Sequence, residues 1–301
     1  MRIFHSIPLR SARDFAPSMR LFASVLLPFL LLLGMSLDGH WDEAGDDWKE
    51  AYYSVIPTMG GQVAAAGYRE TKENGKQILF QFFNKEGRRL GEPVLRGEAG
   101  DQVCHSVIQT FDGGYLLAGT TTEGSKKSNT NALLMKLTES GEPLWDTVAA
   151  ATPATDALYD LIQLDDGSIV AVGESDGKPL MVKIDEHGRS LKILIPAGVE
   201  KGVLKAIAAD TKGQLAATGT QKTDKKDRLL LLTFDSSLTA VATIPDNAPG
   251  EKTGADILYD QEKKGWWIAV NTPGEAKQSG MAFWNTEKIE YQWHKRRYEN
   301  P

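Results

Sequence analysis

One motif recurs five times after residue 50: an apolar pair, a turn, an apolar run and a glycine. It reads SVIPTMGGQVAAAG ending at Gly67, SVIQTFDGGYLLAG ending at Gly119, DLIQLDDGSIVAVG ending at Gly173 and AIAADTKGQLAATG ending at Gly219. The fifth copy is looser, ILYDQEKKGWWIAVN, and places Asn271 where the glycine is expected. Successive markers lie 52, 54, 46 and 52 residues apart. A unit of this length cannot cover its own apolar faces, so the copies must stack on one another.

A second motif follows each first one. An apolar run ends at a turn-former, namely Asn84, Thr138, Asp185, Asp235 or Asn285. Gly87, Gly141 and Gly188 stand three residues later in the first three copies. Short polar side chains that bond to their own backbone, followed by a glycine free to take positive φ, are the chemistry of a tight hairpin. Leu238 and Lys288 occupy the glycine position in copies four and five, so those two hairpins are expected to differ.

Each copy therefore reads as four short strands, a to d, bounded by turn signals. No stretch after residue 50 carries helical periodicity with caps. Four-stranded repeats of about 40–50 residues predict an all-β fold, a β-propeller of five four-stranded blades. The propeller is expected over residues 38–298, with repeats near 50–100, 101–154, 155–200, 201–250 and 251–295. The segment His40–Asp47, with Trp41, resembles the end of a strand d and its loop, and is a candidate to close the ring. Trp266, Trp267, Trp284 and Trp293 in the irregular fifth copy are candidates to seal the seam.

Ahead of the repeats, Arg2, Arg10, Arg13 and Arg20 precede the uncharged apolar run Leu21–Leu37. This is the form of a secretory signal, with translation starting at Met1 or Met19. Residues 1–37 are expected to be a signal peptide or an N-terminal membrane anchor, placing the protein in the periplasm or envelope or outside the cell. The single cysteine, Cys104, allows no intrachain disulfide and reads as a small buried hydrophobe. With 34 basic and 40 acidic side chains the net charge is -6, which argues against a nucleic-acid partner.

The phrase SVIQTFDGGYLLAGT followed by NALLMKLTESGEPLW resembles the repeats of secreted bacterial β-propeller proteins of unassigned function, over about residues 41–295. The resemblance implies an extracytoplasmic propeller and brings no catalytic residues with it. The turn KLTESGEPLW, with Gly141 and Trp145, is similar to the blade-locking hairpin of quinoprotein-like propellers. Only one copy keeps that Trp, and the likeness is one of hairpin shape without a cofactor.

The spacing from strand a to the marker glycine is constant, twelve residues in the first four copies, whereas the b–c distance varies. Variable connections b–c and d–a share one face of a propeller, and function concentrates on such loops. The b–c loops are polar and of mixed charge. The d–a loops offer Asp101, Asp156, Asp160 and Asp256 near strand a, and with His105 and Tyr159 these are the candidate binding residues. None of the five histidines pairs with another ligand at metal spacing, and no nucleophile elbow is present, so neither a metal nor a cofactor nor a catalytic set is predicted. The leading expectation is a non-catalytic module that binds a protein or a glycan through the b–c and d–a face. The alternative is a carbohydrate-active or other hydrolase, which would need two of Asp101, Asp156, Asp160 and Asp256 to converge across a pocket.

Overall fold

The computed structural model describes residues 49–97, 100–122, 129–148, 155–223, 226–239, 241–272, 278–285 and 288–293. The segment expected to act as a signal or anchor and the candidate closing segment His40–Asp47 lie outside them. The described residues form strands and no helix. Twenty strands make five separate four-stranded antiparallel sheets, each a meander drawn from one stretch of chain. The first sheet comprises β1 (Lys49–Pro57), β2 (Val63–Thr71), β3 (Gly75–Phe83) and β4 (Arg89–Arg96). The second comprises β5 (Gln102–Gln109), β6 (Tyr115–Thr121), β7 (Asn131–Leu137) and β8 (Pro143–Val148). The third comprises β9 (Asp156–Gln163), β10 (Ile169–Ser175), β11 (Lys178–Ile184) and β12 (Ser190–Leu194). The fourth comprises β13 (Gly202–Ala209), β14 (Leu215–Lys222), β15 (Asp227–Phe234) and β16 (Ala242–Thr243). The fifth comprises β17 (Thr253–Asp260), β18 (Gly265–Thr272), β19 (Gln278–Trp284) and β20 (Ile289–Trp293).

The first strand of each of the second to fifth sheets packs against the first three strands of the sheet before it, so the sheets are the radially stacked blades of a propeller-type fold. Side-chain alternation explains why the second and third strands are almost continuously apolar. In β10, Ile169 and Ala171 enter a core shared with the second blade, while Val170 and Val172 enter a core shared with the fourth. In β15, Leu230 and Leu232 face the third blade, and Leu229 and Leu231 face the fifth. Four such cores join the five blades in succession. Among the described residues, no core of this kind joins the fifth blade back to the first.

Of the tryptophans expected at that seam, Trp266 and Trp284 sit elsewhere and Trp267 faces away from the fourth blade. Trp266 and Trp284 stack 6.2 Å apart and are buried against Ala216, Leu229 and Leu231 of the fourth blade. Trp267 lies on the opposite face of β18, 4.8 Å from Phe283, with its indole N–H donated to Asp260 at 2.9 Å.

Two hairpin expectations are corrected. Leu238 takes a φ of 55°, and its amide donates to Asp235 O at 3.0 Å, as the amides of Gly87, Gly141 and Gly188 do in their turns. The fourth hairpin is thus the same turn. Left-handed backbone costs about 1–2 kcal/mol, and burial of the Leu238 side chain in the core between blades three and four offsets it. In the fifth blade, Ile257 pairs with Ile268, one position further along than the equivalent Ile207 with Ala217. The turn holds one extra residue, with Lys264 at positive φ. The marker position is therefore Val270, paired with Gly254, and not Asn271.

Candidate binding site at the propeller axis

Every inner strand carries a β-bulge at the same place. The pairing slips between Tyr52 and Ser54, Cys104 and Ser106, Leu158 and Asp160, Leu204 and Ala206, and Gly254 and Asp256. A bulge sets one residue outside the ladder and re-aims its side chain. The five residues so displaced are Tyr53, His105, Tyr159, Lys205 and Ala255. The marker glycines exist because of this bulge. A Cβ on Gly67, Gly119, Gly173 or Gly219 would fall 1.8–2.0 Å from a carbonyl oxygen of the strand beside it.

The displaced side chains meet around the axis. Tyr53 and His105 stack at 5.7 Å, and His105 and Tyr159 lie 5.1 Å apart. The Lys205 ammonium sits 3.2 Å from the centre of the Tyr159 ring. The Tyr159 hydroxyl donates to Glu174 at 2.6 Å. Beyond Lys205 the wall falls away, because the fifth bulge carries only Ala255. There an open pocket of about 420 Å³ is lined by His105, Tyr159, Lys205, Thr220, Thr253 and the backbone of Gly254 and Ala255. Thr253 begins its inner strand and Thr220 lies near the end of β14. The pocket therefore opens at the end of the axis that bears the d–a and b–c connections.

In the first three blades the residue after the bulge ties neighbouring blades together. Ser54 Oγ accepts the Val107 amide at 3.2 Å. Ser106 Oγ donates to Asp160 Oδ1 at 2.9 Å, and Asp160 Oδ2 accepts the Ile207 amide at 2.9 Å. Asp160 thus touches blades two and four from blade three. Loss of water around it pushes its carboxyl up to about 7, and the Asp256 charge pushes the same way. Asp256 is raised too, by burial, against the opposing bond from the Ile257 amide. His105 is pushed down to about 4 by burial and then by the Lys205 charge, so its imidazole is neutral near pH 7. Burial lowers Lys205 as well.

Of the residues anticipated from sequence, His105, Tyr159, Asp160 and Asp256 come together here. Asp101 stands apart: it is exposed, and its Oδ1 accepts the Lys76 amide at 2.9 Å, anchoring the β2–β3 turn of the first blade. Asp156 is fully buried at the start of β9, its amide donating to Thr130 O at 2.8 Å. Tyr53, Lys205 and Ala255 were not anticipated. The signal that finds them is positional: each precedes its blade's marker position by 14 residues in blades one to four. Cys104 is fully buried, its thiol held far up by burial and donated to Ser106 O at 3.3 Å.

No protein-family model and no curated protein matches the chain. Solved structures do match in fold. A protein of unknown function from Bacteroides caccae aligns with a TM-score of 0.55 at 13% identity, covering 80% of this chain and 79% of its own. A polysaccharide lyase, an ulvan lyase bound to -[GlcA(1-4)Rha3S]-, aligns with a TM-score of 0.52 at 9% identity over 77% of this chain and 68% of its own. The periplasmic gluconolactonase of Pseudomonas aeruginosa aligns with a TM-score of 0.51 at 14% identity over 80% and 69%. The likeness is one of propeller-type fold, shared by proteins of unknown function and by enzymes.

Proposed function

We propose that this chain is an extracytoplasmic, non-catalytic binding propeller that holds a glycan at the axial pocket, on the face of the d–a and b–c connections. The observation that carries the reading is the run of rings across three consecutive bulges, Tyr53, His105 and Tyr159, beside an open pocket edged by Lys205, Thr220 and Thr253. Tyr53 keeps 54% of its surface exposed. Aromatic faces with a few placed polar groups are the usual lining of small-molecule sites, and the apolar face of a sugar ring stacks on them.

Hydrogen bonding favours binding over hydrolysis. A glycosidase needs an acid and a base free to act on either side of the scissile bond. Both oxygens of Asp160 are engaged by neighbouring blades, and Asp256 takes the Ile257 amide. The lyase and the lactonase share only the fold at their level of identity, so their activities do not transfer. The extracytoplasmic setting rests on the basic stretch and apolar run of residues 1–37, and recovery of the protein in the cytoplasmic fraction overturns it.

The test is a glycan array probed with the full-length protein and with Tyr159→Ala. At least one sugar class is expected to bind, with a tenfold or greater loss in the variant. An array without a ligand, or a variant that binds as the parent does, overturns the reading.

A further inference from the structure

Cations with little exposure in this protein are matched by carboxylates. Lys136 pairs with Asp112 at 2.7 Å, Lys252 with Asp246 at 3.1 Å, Lys183 with Asp166 at 3.7 Å and Arg69 with Glu50. Lys205 lies outside this set, as the half-buried Lys76 and Lys192 do. It is half-buried, and among the described residues it has no carboxylate within ion-pair distance; its ammonium rests on the Tyr159 ring face. Withdrawing an ammonium from water is costly, and the opposite charge acting on Lys205 is that of Glu174, which makes no ion pair with it and already takes the Tyr159 hydroxyl. The ring face meets the ammonium with only the partial negative charge of its π system.

We infer that the axial pocket selects a sugar acid, with the ligand's carboxylate bound by Lys205 and its ring laid against Tyr159. This rests on the glycan reading above and names the class of glycan. The pocket, at about 420 Å³, lies within the size range of small-molecule sites. Thr220 and Thr253 add hydroxyls that suit a polyol, and Gly254 and Ala255 add no side-chain bulk. His105 is neutral and supplies a ring and a hydrogen-bonding nitrogen, which leaves Lys205 as the cation of the pocket. Three carboxyl groups approach the region, each accepting at least one hydrogen bond, and Asp256 alone of the three is exposed. Glu174 accepts from Tyr159, Asp160 from Ser106 and Ile207, and Asp256 from Ile257. Asp160 and Asp256 also hold their protons more tightly than free carboxyls, which lessens their repulsion of an incoming anion.

The experiment is calorimetric titration of the full-length protein with trisaccharides of glucuronate, galacturonate and mannuronate, and with their carboxyl-reduced neutral counterparts. At least one acid form is expected to bind about tenfold or more tightly than its neutral counterpart, the scale of one charge-assisted hydrogen bond. Lys205→Met should erase that preference, read as the ratio of acid to neutral affinity within the variant, and Lys205→Arg should keep most of it. Raising the salt should weaken binding of the acid form alone, a readout that needs no variant. Equal binding of acid and neutral forms, or an unchanged preference in Lys205→Met, overturns the acidic-ligand inference and leaves the glycan reading standing. Absence of binding by every sugar overturns both.

Discussion

The joint between blades three and four and the joint between blades four and five use the same strand positions and opposite chemistry. At the first, Asp160 follows the bulge and reaches across to the Ile207 amide. At the second, the residue after the bulge is Ala206, which offers no polar group and packs in the apolar core formed by Trp266, Trp284, Ile257 and Ile268. The first joint has a bulky Tyr159 at its bulge. The second has Lys205 facing Ala255, and the space between them is the pocket. A polar tie close to the axis fills the place where a ligand would sit. Where tryptophans further out carry the joint, the axis is left open.

The sharpest way to break this contrast is at Gly254. A Cβ there would fall 2.1 Å from Thr218 Oγ1 and 3.0 Å from the Gly219 amide nitrogen, so β17 lies pressed against β14. The equivalent position at the other joint is Leu204, fully buried without conflict. Gly254→Ala is expected to cost about 3 kcal/mol in urea unfolding, as overpacking of a tight contact does. Thr218→Ala in the same chain should recover about half of that, because the clashing oxygen is gone. An unchanged midpoint for the single variant would mean that the fifth blade docks loosely and that its tryptophans do not set the joint.

A middle-sized effect separates the joints by pH. The native Asp160 carboxyl keeps its proton up to about pH 7, whereas in the unfolded chain it loses it near the ordinary carboxylate value. Between those two values the folded state binds more protons, so stability must fall as pH rises through the window. The stabilising contribution is complete below about pH 4 and lost above about pH 7, and its size is on the order of 2–4 kcal/mol. Asp160→Asn keeps an acceptor for the Ile207 amide and cannot ionise. It is expected to flatten the dependence and to raise the melting temperature at pH 8 relative to the parent. Hydrogen exchange resolved by blade should show β9 and β13 loosening with rising pH more than β18 and β19. Equal loosening of all four strands would dissolve the distinction.

The fold was largely legible because its signals are local. Marker glycines, turn-formers and runs such as SIVAVG each report a strand or hairpin within a few residues. The site was legible only in part, because a bulge leaves no residue type of its own. Tyr53, His105, Tyr159, Lys205 and Ala255 share a position and no chemistry. Their common trace is the glycine on the neighbouring strand, which reads from sequence as a turn or strand-end signal and proves to be relief from a carbonyl oxygen. Asp101 and Asp156 lie at strand starts whereas Asp160 sits in mid-strand past the bulge, a difference in place and bonding that only the folded chain reveals. Leu238 misled for the opposite reason. A turn was judged by the residue it prefers, and burial overrode that preference. In the fifth blade, one extra residue in the turn shifts the register, and Gly254 takes up on β17 the close approach that the other blades make with a glycine on their second strand.

The smallest expected change in stability belongs to the position that should matter most for binding. Ala255 is exposed at the fifth bulge and borders the pocket opposite Tyr159 and Lys205. Ala255→Trp places a ring where Tyr53 and Tyr159 already carry theirs, on backbone of the same kind. Stability should move by no more than about 0.5 kcal/mol, as for other exposed substitutions. Ligand binding should fall at least tenfold, because the ring occupies the space that distinguishes the second joint from the first. Ala255→Ser, which adds little volume, should leave binding within about twofold of the parent and so separates filling from mere alteration. If Ala255→Trp is stable and still binds fully, the ligand enters elsewhere, and the open joint is only a consequence of how the fifth blade is fastened.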